Sequence, residues 1–194
     1  FNVAPSAIKA PIGMFKPRAL SEKGIERTIK DFAECAFLAK EAGYDGVEVM
    51  GSEGYLINEF IAKRTNKRQD RWGGSYENRM RFPLEILKRT RERVGDDFII
   101  IYRLSILDLV DGGSHWDEIK ELAKKVESCG ATIINSGIGW HESRVPTIAT
   151  RVPRAAFAEY SKEIKDVVNV PVIAVNRINT PKMAEEVLEN GYSD

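Results

Sequence analysis

Cysteine and histidine are both scarce in these 194 residues, with two of each. Cys35 and Cys129 are too few for a disulfide framework and lack the paired spacing of a zinc or iron–sulfur site, so no metal site is expected and a reducing, cytoplasmic setting fits best. Charge of one sign is also missing. Twenty-nine basic residues against twenty-nine acidic ones leave a formal net charge of zero, which removes the global field that draws a protein to nucleic acid or to an anionic membrane. Apolar runs such as Phe98-Ile99-Ile100-Ile101-Tyr102 fall far short of the ~20 residues that span a bilayer. No charged n-region with an apolar h-region opens the chain, so neither a membrane anchor nor a secretion signal is expected. What is present, 43% hydrophobic and 30% charged residues, suffices for one core but not for two ordinary domains.

From Ser21 onward the pattern repeats: an apolar helical stripe, a glycine, a short β-rich run, a loop, then another helix. The first helix has Ser21 as N-cap, a stripe of Ile25, Ile29, Phe32, Ala36 and Ala39, and Gly43 as its stop; a strand follows at 46–50. After a long polar stretch at 63–79, a second helix carries Leu84, Leu87 and Val94, with Pro83 expected at its start or at a kink, and its strand is 98–104. The third helix, with Ser114 and Asp117 in capping-box spacing, carries Ile119, Leu122, Ala123 and Val126 before a strand at 132–135. A fourth helix from about 153 to 168 precedes a strand at 170–175, and a fifth opens with Thr180 as cap and Pro181 at its first position. Near-continuously apolar strands separated by single helices imply a parallel sheet, either a barrel or an open doubly wound sheet. The crossovers are regular, and Gly137-Ile138-Gly139-Trp140-His141-Glu142 has only the first two glycines of a dinucleotide turn, which favours the barrel and reads that stretch as a flexible loop. A full (β/α)8 TIM barrel takes ~250 residues, so the expectation is a partial barrel, an α/β fragment of about half of one. The start at Phe1 and the stop shortly after Gly191 point the same way.

Active sites of parallel barrels lie at the C-terminal ends of the strands. Those ends read Met50 to Tyr55, Arg103-Leu104-Ser105, Ser136-Gly137 to His141, and Asn176-Arg177. They offer a tyrosine, two arginines and a histidine. No lysine follows a strand, which disfavours a Schiff-base aldolase, and no His-x-His or carboxylate cluster is there, which disfavours a metal-dependent hydrolase. Arg103 emerges from an apolar run and must find an anionic or carbonyl partner: either Glu48 on the preceding strand or a bound anionic cofactor or substrate. Tyr55 is either a packing tyrosine or a proton donor, since a phenol with pKa near ~10 keeps its proton at neutral pH. His141 lies on a loop after a strand and is a site candidate, whereas His115 reads as solvated surface in a first helical turn. The one dense basic run, residues 63–71, reads as a solvated loop or as a greeting for a phosphorylated ligand. Cys35 and Cys129 read as packing residues on helices.

Gly54-Tyr55-Leu56-Ile57-Asn58-Glu59-Phe60, followed by Arg64-Thr65-Asn66 and by Arg71-Trp72-Gly73-Gly74-Ser75-Tyr76-Glu77-Asn78-Arg79-Met80-Arg81-Phe82, closely resembles the central signature of the old yellow enzyme family of FMN-dependent oxidoreductases. The segments Val49 to Tyr55, Ile101 to Ser105 and Asn135 to Glu142 are similar to those of the bacterial NADPH-dependent 2,4-dienoyl-CoA reductases within it. Many relatives carry a histidine pair, or histidine with asparagine, before the tyrosine; here Met50 and Glu53 stand there, as in the dienoyl-CoA reductase branch.

The resemblance implies an FMN-binding barrel domain over residues 1–194. Reduced FMN would pass hydride to a conjugated acyl-CoA, Tyr55 would supply the proton, and His141 would hydrogen-bond the thioester oxygen. Arg103 and Arg177 match flavin contacts; Arg64, Glu142, Ser143 and Arg144 match positions on the substrate side. An iron–sulfur cluster, FAD and NADPH are implied for the full-length protein, and the isolated fragment is expected to bind FMN poorly. Within the family, another ene-reductase or an amine dehydrogenase is the rival; outside it, a phosphate-binding isomerase or synthase barrel without flavin, or a barrel remnant serving as an interaction module.

Overall fold

The computed structural model describes residues 2–194. Two short strands, β1 (Val3–Ala4) and β2 (Arg18–Ala19), pair in parallel ahead of the main body. Then come α1 (Glu22–Glu41), β3 (Gly46–Gly51), α2 (Leu56–Ile61), α3 (Tyr76–Val94), β4 (Ile99–Leu107), α4 (Trp116–Ser128), β5 (Ile133–Ile138), α5 (Ala158–Lys165), β6 (Val172–Ile173) and α6 (Pro181–Glu189). Strands β3, β4, β5 and β6 form one all-parallel sheet in sequential order, with a helix in every crossover. That is the arrangement of a partial (β/α)8 barrel.

The pleat sorts the side chains. Val49, Tyr102 and Ile134 share a register row, and with Ile100, Leu104 and Val172 they are buried against the helices. Ile25, Ile29, Ile86, Leu87, Leu122 and Val126 complete that core from α1, α3 and α4. The alternate positions Met50, Arg103 and Asn135 form the neighbouring row on the inner face, where a barrel places its polar site.

Capping explains where most helices begin. Ser21 Oγ accepts from Gly24 N (3.1 Å), Ser75 Oγ from Asn78 N (3.3 Å) and Thr180 Oγ1 from Met183 N (3.3 Å). Several boundaries depart from the sequence expectation. Because α3 already starts at Ser75, Pro83 lies in the helix interior; the missing backbone donor costs ~3 kcal/mol, and burial of Met80, Phe82, Ile86 and Leu87 on the same helix offsets it. Helix α4 is capped at His115 rather than Ser114, with Glu118 Oε2 reaching back to His115 N (3.0 Å), because Ser114 N is committed to Asp108 Oδ2 (2.7 Å). Helix α5 begins at Ala158 instead of near 153, since Ala155 adopts a left-handed backbone (φ 52°). Strand β6 shrinks to Val172–Ile173: Pro171 has no donor for a ladder, and Asn176 and Arg177 are both left-handed (φ 67° and 63°). Strands β4 and β5 run three residues past their expected ends, which carries Gly137 into the sheet rather than into a flexible loop.

Candidate active site

After β3 the chain makes a tight corner, with Glu53 (φ 57°) and Gly54 (φ 80°) both left-handed, so that Tyr55 becomes the N-cap of α2. A side chain on Gly54 would drive its Cβ to 2.7 Å from the Trp140 ring, so the corner lies directly against the loop that follows β5. That loop presents His141. Its Nε2 lies 2.9 Å from Tyr55 Oη, the two rings meeting edge-on at 5.1 Å between centroids and 77° between planes. Sequence separation between them is 86 residues, and the ends of β3 and β5, on either side of β4, close it.

Tyr55 and His141 stand on the wall of a cavity of about 630 Å³ together with Arg64, Glu142 and Trp140, roofed by residues 8–12. Arg64 Nη2 pairs with Glu142 Oε2 at 3.0 Å, and Arg64 Nη1 donates to the Asp111 carbonyl (3.3 Å). Beyond this pair lies a second, polar cleft of about 460 Å³ bordered by Arg64, Glu142 and Arg144. The Ser143 hydroxyl accepts from Val145 N (3.1 Å) and so shapes the turn instead of facing the cavity. Arg177 bonds the carbonyls of Val152 (2.9 Å) and Thr150 (3.2 Å) on the loop before α5. Of the expected site residues, then, Tyr55, His141, Arg64 and Glu142 are gathered in one cavity, Arg144 borders the adjoining cleft, and Arg177 engages a separate loop.

Arg103 resolves the choice left by the sequence in an unexpected way. It lies 3.6 Å from Glu48, the anticipated partner, but makes its closer contact with Glu53, Nε to Oε1 at 2.9 Å. Glu48 in turn accepts from Asn135 Nδ2 (2.9 Å). Among the described residues, Nη2 of Arg103 makes no hydrogen bond, and Oδ1 of Asn135 is buried with no partner. A cationic donor and an orphaned acceptor thus sit on register-paired residues of the inner face. The edge of a flavin ring offers carbonyl acceptors and an N–H donor, and this pair of groups fits it.

The sequence reading missed Glu59. One turn after Tyr55 on α2, it faces the same cavity, where burial first and the Glu142 carboxylate second lift its pKa from 4.5 to about 7. The visible signal was a lone carboxylate among Ile57, Phe60 and Ile61 at a spacing of four from Tyr55. The basic run is not solvated throughout: Arg68 holds Asp70 and the carbonyls of Pro5 (2.9 Å) and Leu20 (2.6 Å), Arg71 pairs with Glu26 at 2.7 Å, and Arg64 lines the cavity. Cys129 is partly buried as expected, but Cys35 is exposed on α1, outside the packed stripe.

A parallel barrel segment with a tyrosine, a histidine and an arginine converging at adjacent strand ends has the plan of an old yellow enzyme barrel. The chain belongs to the NADH:flavin oxidoreductase / NADH oxidase family, which residues 2–194 match. It is 43% identical over 192 residues to a metal reductase of Desulforamulus reducens and 41% identical over 194 residues to an NADH oxidase of Thermoanaerobacter brockii. Both alignments cover 99% of this chain but only 29% and 30% of those proteins. A solved 2-naphthoyl-CoA reductase in complex with 2-naphthoyl-CoA superposes with a TM-score of 0.94 at 36% identity, covering 98% of this chain and 29% of that one. The chain therefore spans less than a third of the length of these relatives.

Proposed function

We propose that this chain is the FMN-binding barrel portion of a flavin-dependent oxidoreductase that reduces a carbon–carbon double bond conjugated to a thioester, with 2,4-dienoyl-CoA as its substrate class. The observation that carries the reading is the Tyr55–His141 contact of 2.9 Å in a cavity beside the Arg103–Asn135 pair. A fold shared with a 2-naphthoyl-CoA reductase supports a CoA thioester over a free enone. FMN would lie against Arg103 and Asn135, with Arg177 as a further contact; elsewhere in the full-length protein the reading carries an iron–sulfur cluster, FAD and NADPH to deliver electrons. The greater length of the relatives is consistent with such additional modules.

The flavin, when bound and reduced, supplies a hydride to the far carbon of the conjugated system. Tyr55 holds a proton at neutral pH and releases it to the adjacent carbon as negative charge develops there. His141 beside it would turn its Nε2–H to the thioester oxygen, where enolate charge gathers. Arg64, Glu142 and Arg144 sit on the entry side, Ser143 holds their turn, and residues 8–12 cover one side of the cavity.

The test uses the full-length protein loaded with its cofactors. It is reduced anaerobically and mixed with 2,4-hexadienoyl-CoA, and the visible flavin bands are followed. Rapid reoxidation is expected, slowed by roughly 100-fold or more in Tyr55→Phe with flavin reduction untouched. A reduced flavin that persists with the dienoyl-CoA yet reoxidises with cyclic enones or amines overturns the substrate class.

A further inference from the structure

Asp108, just beyond the end of β4, is only 4% exposed, yet its carboxylate accepts four hydrogen bonds. Ser105 Oγ (2.6 Å), Trp140 Nε1 (2.8 Å) and Asn58 Nδ2 (3.2 Å) all donate to Oδ1, and Ser114 N (2.7 Å) donates to Oδ2. Two of these donors lead straight to the proposed acid pair. Asn58 Oδ1 accepts from Gly54 N (2.9 Å), and Gly54 immediately precedes Tyr55. Trp140 immediately precedes His141, and its ring packs against Gly54, closing the circuit. Asp108, Asn58, Gly54 and Trp140 thus form a ring of contacts with the two candidate catalytic residues carried on its rim.

We propose that Asp108 is a positioning residue that sets the Tyr55–His141 separation, by clamping the strand-end corner before α2 and the loop after β5 to one buried carboxylate. The inference rests on the reading of Tyr55 as the acid. Backbone bonds from Trp140 N to the Asp108 carbonyl (3.0 Å) and from His141 N to the Glu53 carbonyl (3.5 Å) already bring the two segments together, but they leave the side chains free, and Tyr55 is 49% exposed with its hydroxyl bonded, among the described residues, only to His141. The carboxylate adds the side-chain anchors that the backbone bonds do not supply. Oδ1 gathers the three donors that define the clamp, whereas Oδ2 serves only the loop before α4. An amide at this position keeps an acceptor for Trp140 and Asn58 and turns its NH2 group toward Ser114 N, donor against donor. Asp108→Asn is therefore the conservative variant that retains the clamp, and Trp140→Phe is the variant that opens it, since it keeps an aromatic ring against Gly54 and removes only the Nε1–H.

The experiment compares Trp140→Phe, Asp108→Asn and Tyr55→Phe with the parent protein, as full-length FMN-loaded enzyme, in separate half-reactions. Trp140→Phe is expected to slow reoxidation by 2,4-hexadienoyl-CoA by roughly 10- to 100-fold, the scale of a misplacement near 1 Å. Flavin reduction and FMN content stay at parental values, and the His141 ring resonances seen by NMR move. Asp108→Asn stays within a few-fold of parent in all of these. Parental reoxidation with unmoved His141 ring resonances in Trp140→Phe overturns the proposal. So does a slowing shared equally by both half-reactions, which marks a merely structural role. If Tyr55→Phe itself reoxidises at the parental rate, the acid reading fails separately, and the His141 ring resonances in Trp140→Phe still decide the clamp.

Discussion

Replacing Glu59 with glutamine should make the protein more stable at pH 8 and leave it nearly unchanged at pH 4. Burial and the neighbouring Glu142 carboxylate raise the Glu59 pKa from 4.5 to about 7 in the folded protein. Between those values the native state binds more protons than the unfolded chain, so stability falls as pH rises through that window and levels off above it. A shift of that size corresponds to about 3 kcal/mol if fully expressed. Glu59 is only part-buried, and the cavity it faces is open to solvent, so screening reduces the cost to roughly 1–2 kcal/mol. Glutamine keeps the shape and removes the ionisation, returning that amount above pH 7 and nothing below pH 4. Arg64 does not cancel the penalty, because its guanidinium is engaged by Glu142 and the Asp111 carbonyl. Urea unfolding followed by tryptophan fluorescence at pH 4, 6 and 8 measures the gap between parent and variant. A gap that is the same at all three values, or that favours glutamate at pH 8, refutes the account of Glu59 as a buried carboxyl held against its charge.

Arg79→Met should cost about 3 kcal/mol of unfolding free energy, because the 1% exposed guanidinium joins the Ile61 carbonyl (2.6 Å), the Gly74 carbonyl (2.7 Å) and Glu118 (3.1 Å), three segments that lose a shared donor; chemical denaturation checks it. Tyr102→Phe should be neutral or stabilising by up to about 1 kcal/mol, since the Tyr102 hydroxyl is buried without a partner and burial pushes its pKa above the phenol range; a lowered melting temperature would count against it. Tyr55→Phe should lose only the rate of flavin reoxidation, which stopped-flow absorbance reads directly.

The barrel was legible because its signals are local. Ser21 and Thr180 as caps, the stripe of Ile25 and Ile29, and the apolar run at Ile99–Leu107 each declare an element within a few residues. The misplaced boundaries have non-local causes. Ser114 yields its capping place because Asp108, six residues earlier, claims its N–H, and Pro83 is tolerated because α3 is anchored eight residues upstream at Ser75. In the site, strand-end position was enough to single out Tyr55, His141 and Arg103. What no spacing rule supplies is the closing of a corner: Glu53 lies two residues past β3, and its left-handed backbone turns its carboxylate to Arg103. Asp108 and Glu59 escaped notice for a related reason. Their significance lies in how deeply tertiary contacts bury them, and a carboxylate in a polar-looking stretch does not advertise that.

Residues 8–12 form the cavity roof, and they are fastened to the rest of the molecule by Arg68, through the carbonyls of Pro5 and Leu20, and by the Ser6 hydroxyl accepting from Lys67 N (2.9 Å). None of these fastenings passes through Tyr55, His141 or the carboxylate beneath them. On the proposed reading, the cover and the proton-delivering pair are therefore held independently: exchange of Ile8 or Ile12 is expected to change which acceptor enters without retuning Tyr55, and alteration of Tyr55 to leave the cover in place.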